Sequence, residues 1–134
     1  MKTRSEEDYL RTIYSIYEEQ GEGISSVDVA HALGVSKPSV SEMLKKLDRK
    51  GFIRAKPYSK IFFTSKGLTE AKRLSHNHRV ICVFLKQVLD YESLEEIEEQ
   101  AHRLEHAFSD KAIRRLDNYL DNPDLCPKGK KIHG

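Results

Sequence analysis

Cysteine is scarce in this chain of 134 residues: Cys82 and Cys126 are its only thiols, too few for the disulfide framework of a small secreted domain. No apolar run is long enough to span a membrane, and no stretch has the order of a signal peptide. Both absences imply a cytoplasmic protein with reduced thiols. There are no internal repeats and no low-complexity segments. Glycine (7) and proline (4) are few, and the chain is 38% hydrophobic and 33% charged, which describes a globular, charge-rich protein rather than a disordered one. The length allows one compact domain or two small ones.

Charge of one sign is missing overall but not locally. The net charge is only +2. From Ser36 to Arg73, however, eleven Lys or Arg face three carboxylates, a net +8. From Asp90 to Glu105, seven carboxylates face Arg103 alone, a net −6. A basic segment beside an acidic one implies a nucleic-acid face and a separate cation-attracting or pairing face.

The periodicity predicts mainly helix. Ser5, with Asp8 three residues on, is expected to cap a first helix carrying Tyr9, Leu10, Ile13, Tyr14, Ile16 and Tyr17. A short helix follows Ser25 or Ser26 and ends at Gly34. Ser36 caps the next, with Pro38 in its first turn and Val40, Met43, Leu44 and Leu47 as its buried stripe. "FIRAKP" and "KIFFTS" read as a hairpin through Tyr58-Ser59. One long helix then runs from Thr64 or Ser65 to about Leu89. "SLEEIEEQAHRLEHAF" is amphipathic through Leu94, Ile97, Ala101, Leu104 and Phe108, and Ser109 caps a last helix. "PDLCPKGKKIHG" reads as a basic tail broken by Pro and Gly.

Helix, short helix, turn, helix, hairpin is the order of a winged helix-turn-helix, whose second paired helix enters the DNA major groove. Here that order coincides with the +8 segment. Ser36, Ser39 and Ser41 are suited to phosphates or base edges, and the Pro38 ring to a thymine methyl. Lys37, Lys45, Lys46, Arg49 and Lys50 supply phosphate charge, and the wing offers Arg54, Lys56, Tyr58 and Lys60.

The acidic segment holds a second pattern. On a helix, Glu98, His102, Glu105 and His106 share an arc of roughly 100°, and imidazole with carboxylate is a donor set for divalent first-row metals. One helix cannot close a coordination sphere, so another segment must contribute. Asp8 is a candidate, and His78 with Cys82, spaced i,i+4, could form a second site. His76 and His31 read as ordinary polar residues. The same stripe is equally an exposed run of ion pairs. "HRLEH" also matches the H-x-x-E-H zinc-peptidase pattern, but it is a short match with few residues after it.

"SEEDYLRTIYSI", "GVSKPSVSEMLKKLDRKGFI", "FTSKG", "HRVICVFL" and "EEQAHRLEHAFSD" together resemble the diphtheria-toxin-repressor family of metal-dependent regulators, including its manganese-transport-regulator branch. The similarity covers about residues 3 to 122. It implies a winged-helix DNA-binding domain over 1–73, a helical metal-binding and dimerisation domain over 74–122, and a basic tail or linker over 123–134. It further implies a homodimer that represses metal-uptake genes from a palindromic operator on double-stranded DNA when Fe(II) or Mn(II) is bound, with Zn(II) or Co(II) as further candidates. Neither an enzyme's small-molecule substrate nor a membrane is expected.

By position, the primary metal ligands would be Asp8, His102, Glu105 and His106, and the adjacent ones His78, Cys82 and Glu98. Asp8 matches the manganese-type branch. His102 departs from the cysteine or glutamate usual in the family. Cys82 stands where iron-type members have glutamate, and Glu98 where they have histidine. Arg11 stands where manganese-type members have glutamate, and Glu42 where iron-type members have a glutamine facing DNA. "CPKGKKIHG" resembles the linker that leads, in iron-type members, to an SH3-like domain. Two rival readings are a metal-independent winged-helix regulator and, more remotely, the zinc peptidase.

Overall fold

The structure, a computed structural model, describes residues 2–56 and 59–133. It divides into two compact units, one ending at Leu74 and the other starting at Ser75. Its elements are α1 (Arg4–Gln20), α2 (Ser26–Leu33), α3 (Lys37–Arg49), β1 (Ile53–Ala55), β2 (Ile61–Phe63), α4 (Ser65–Gln87), α5 (Leu94–Leu104) and α6 (Asp110–Tyr119). Among the described residues, no helix is long and apolar enough to cross a membrane.

In the first unit α1 packs on α2, α2 on α3 and α3 on β1. Leu10, Ile13, Ile24, Val29, Leu47, Ile53 and Ile61 fill the core between them. The cap of α1 differs from the expected one. Thr3, not Ser5, accepts from Glu6 N, and Glu6 accepts from Thr3 N at 2.8 Å. Both pairs fit the capping pattern; Glu6 prevails because its buried carboxylate also receives Lys50 Nζ at 2.9 Å from the end of α3.

Gly34 ends α2 in the left-handed region, and Ser36 caps α3 by accepting from Ser39 N. The wing is an antiparallel pair with Arg54 opposite Phe62. The segment before α2 joins it, because Ile24 and Ile61 exchange backbone hydrogen bonds of 3.0 and 2.8 Å. Asp48 on α3 accepts from Ala55 N at 2.8 Å, which ties the hairpin to the reading helix. Thr64 caps α4 by accepting from Gly67 N at 3.0 Å.

In the second unit Val80, Ile81, Cys82, Leu85, Ile97, Ala101 and Ile113 form the core. The expected tail is not one. Cys126 and Ile132 are buried in this core, and residues 125–131 close on themselves through the Leu125–Lys131 bridge. Two well-spaced apolar residues are enough to dock a segment that composition alone describes as basic and broken.

Candidate nucleic-acid interface and metal centre

The helical period of α3 puts Val40, Leu44 and Leu47 inside and leaves Lys37, Pro38, Ser39, Ser41, Lys45, Lys46 and Arg49 exposed on the other face. Glu42 is exposed there too. Ser36 Oγ donates to Ser39 Oγ at 2.9 Å while accepting from Ser39 N, so its first role is the cap. Lys50 is exposed, but its ammonium already meets Glu6. Arg54, Lys56 and Lys60 are exposed on the wing; Tyr58 lies outside the described residues. Between α3 and the hairpin is a groove of about 90 Å³ lined by Lys37, Lys45, Lys56, Ser41 and Ser59. Ammonium and hydroxyl groups in one concavity suit a phosphate oxygen.

The candidate metal centre lies in the second unit. Ser93 caps α5, which buries Ile97 and Ala101 and so turns Glu98 toward α4. The helix stops at Leu104, short of the expected end. Glu105 keeps helical backbone angles, with its N–H bonded to Ala101 O, which preserves the expected spacing of Glu98, His102, Glu105 and His106. The buried imidazole of His78 sits between two carboxylates: Nε2 is 2.9 Å from Glu98 Oε2, and Nδ1 is 2.5 Å from Glu105 Oε2. A neutral ring can donate to only one of them. The arrangement therefore concentrates negative charge around a nitrogen donor.

Cys82 Sγ donates to Glu98 Oε1 at 3.9 Å, and His78, Cys82 and Glu98 each offer a ligand atom within 4.8 Å of the others. His102, Glu105 and His106 do the same, with the two imidazoles edge-on at 5.7 Å and His106 Nε2 3.6 Å from Glu105 Oε1. Because Glu98 and Glu105 both reach His78, the two sets expected as separate sites are joined. The donor chemistry, nitrogen and carboxylate oxygen with one thiol, fits a divalent first-row ion. Asp8 lies on α1, in the first unit. One participant has no signal in the sequence: Lys128 Nζ is 3.6 Å from Glu98 Oε1, brought there by the docking of the expected tail.

Comparison with known proteins accounts for both faces. Residues 1–61 match the N-terminal DNA-binding domain of iron-dependent repressors, and residues 64–134 match their metal-binding and dimerisation domain. An HTH-type transcriptional regulator from Methanocaldococcus jannaschii, itself uncharacterized, is 35% identical over 89% of this chain and 94% of its own length. The HTH-type transcriptional regulator MntR of Bacillus subtilis is 34% identical, covering 98% of this chain and 92% of the relative. Among solved structures, that of the manganese regulator SloR superposes with a TM-score of 0.83 at 40% identity, over 96% of this chain. This chain spans only 59% of SloR. With a winged helix, a basic reading helix and a His/Glu/Cys cluster in their expected order, the chain belongs to the iron-dependent repressor family.

Proposed function

We propose that this protein is a homodimeric DNA-binding repressor whose operator affinity is set by a divalent metal, Fe(II) or Mn(II), and that it controls genes of metal uptake or homeostasis. The observation that carries this reading is His78 held between Glu98 and Glu105, with Cys82 alongside, in a chain that also exposes a basic reading helix. Asp8, His102, Glu105 and His106 form the primary ligand set, and His78, Cys82 and Glu98 the adjacent one. A bound ion supplies the positive charge that allows these carboxylates to approach one another. Glu105 then links the two sets, and Ser93 with the apolar face of α5 holds Glu98 in position.

On the DNA side, Lys37, Lys45, Lys46 and Arg49 neutralise phosphates, while Ser39, Ser41 and Pro38 meet base edges. Val88, Leu89 and Leu94 are 40–49% exposed at the junction of α4 and α5. This is apolar surface that a second copy would cover. A two-fold dimer places its reading helices on half-sites about 34 Å, or a multiple of that, apart. Glu105, the general base of the peptidase alternative, is already engaged by His78, and no observation favours that reading.

The test is binding of a palindromic duplex by the purified protein against Mn(II), Fe(II), Co(II) and Zn(II), with chelator as control. Metal-dependent retention of the operator over random duplex is expected. Equal specific binding in chelator would establish the metal-independent regulator instead.

A further inference from the structure

His76 reads in the sequence as an ordinary polar residue on α4. In the fold it faces Asp117 of α6 and His133 of the C-terminal segment. His133 Nε2 is 3.1 Å from Asp117 Oδ2, and His76 Nε2 is 3.7 Å from the same oxygen. The two rings lie 5.2 Å apart. Asp117 is only 6% exposed. The three side chains each offer a ligand atom within 4.8 Å of the others. None of them belongs to the site around His78.

The orientation of His76 is decided by its other nitrogen. Nδ1 lies 2.9 Å from the carbonyl of Ile132. A carbonyl only accepts, so Nδ1 carries the proton and donates. In the neutral ring Nε2 is then a lone pair, and it points at a carboxylate oxygen. Two acceptors face each other unless a proton or a cation stands between them. An imidazole whose far N–H is held by a backbone carbonyl is also the usual preparation of a metal-binding histidine. Ligand bonds of about 2.0–2.2 Å to a four-coordinate ion separate neighbouring donors by roughly 3.3–3.6 Å, and the distances of 3.1 and 3.7 Å to Asp117 bracket that range.

We propose that His76, Asp117 and His133 form a further divalent-metal site, independent of the centre at His78 and suited to Zn(II) or a similar first-row ion. Its three protein ligands come from α4, α6 and the last described residues of the chain. The ion fastens the C-terminal segment, which is already held by Ile132 in the core and by Arg79 donating to Lys131 O at 2.8 Å. His133 is 43% exposed at its side chain, so the fourth position opens to water. The role is structural: the segment that carries Lys128 to Glu98 is the one this ion would hold.

The experiment is titration of untagged, metal-free protein with Co(II), read by its visible spectrum and by calorimetric stoichiometry, followed by trypsin digestion with and without the ion. His133→Ala, at an exposed position near the chain end, should bind one fewer Co(II) per chain than wild type. It should also lose metal protection against cleavage after Lys128, Lys130 and Lys131. Asp117→Asn should do the same, whereas His106→Ala, which removes a ligand of the other centre, should keep the metal protection of these three bonds. Unchanged stoichiometry and unchanged protection in His133→Ala would overturn the proposal, even if Asp117→Asn failed to fold. So would loss of that protection in His106→Ala, which would merge this site with the centre at His78.

Discussion

At the scale of single residues, charge in this protein is placed by its partners rather than by exposure. Glu6 shows the balance. Burial alone would raise its carboxyl, but the hydrogen bond and charge of Lys50 and the backbone N–H of Thr3 outweigh that and hold it below its ordinary 4.5. A depressed carboxylate contributes stability that is present above the unfolded value and is lost as pH falls through the folded one. Glu6→Gln should therefore cost the first unit about 1–3 kcal/mol at neutral pH, and the difference from wild type should shrink as the pH drops below about 4.5. Urea midpoints of both proteins at pH 7 and pH 3.5 measure this, and a constant difference would count against the role given to Glu6. Cys82 poses the opposite question, since it is both a core residue and a neighbour of Glu98. If it ligates, the wild-type Co(II) complex should show a thiolate charge-transfer band that Cys82→Ala lacks. Without that band, Cys82 is a small hydrophobe beside Val83 and Leu85.

At the scale of elements, the close approaches are where side chains have no room. A Cβ on Gly67, in the first turn of α4, would lie 1.7 Å from the carbonyl oxygen of Phe52, so α4 and the strand entry touch backbone to backbone. Gly67→Ala must push them apart. It should cost roughly 1–3 kcal/mol and disturb the wing, which thermal melting and operator binding would register together. On α3, replacing Lys45, Lys46 or Arg49 by Ala should weaken binding to all duplexes alike and lower the salt slope by about 0.9 per lost phosphate contact. Ser41→Ala should instead change discrimination between sequences, and if both classes altered stability alone, α3 would not be the reading helix. Helix order, the caps at Ser36 and Ser109, the choice of Ser25 or Ser26 before α2, and the stripe on α5 could be read from the sequence because they are local and periodic. The Thr3–Glu6 cap could not, because Lys50, 44 residues away, helps to select it. The docked C-terminal segment was hidden for a similar reason: it is held by two buried apolar residues, Cys126 and Ile132, and by Arg79, which lies 52 residues before its partner Lys131. The candidate ligand residues were legible as a pattern, yet the bridge of His78 to both Glu98 and Glu105 needed α4 and α5 side by side.

At the scale of the whole molecule, the proposed function requires the metal to alter what the first unit does, although most of its ligands lie in the second. Asp8 is the residue on which that requirement falls, because it alone of the proposed ligands belongs to the DNA-binding unit. If it joins His102, Glu105 and His106 on one ion, the ion favours those arrangements of the reading helices in which Asp8 is within reach. Its effect on DNA is then limited to its differential affinity for those arrangements over the others. A typical coupling of about 1–3 kcal/mol would change operator affinity about 5- to 150-fold. Linkage makes this reciprocal: operator DNA must tighten metal binding by the same factor. Asp8→Ala should therefore keep the fold, the dimer and weak salt-sensitive binding to random duplex. It should lose the metal-dependent gain on the operator and, equally, the DNA-dependent gain in metal affinity. Circular dichroism, sedimentation and duplex binding at fixed salt, with and without Mn(II), separate these properties. If Asp8→Ala still gained the full metal-dependent affinity, the coupling would have to run through the second unit alone, by way of the dimer rather than through α1.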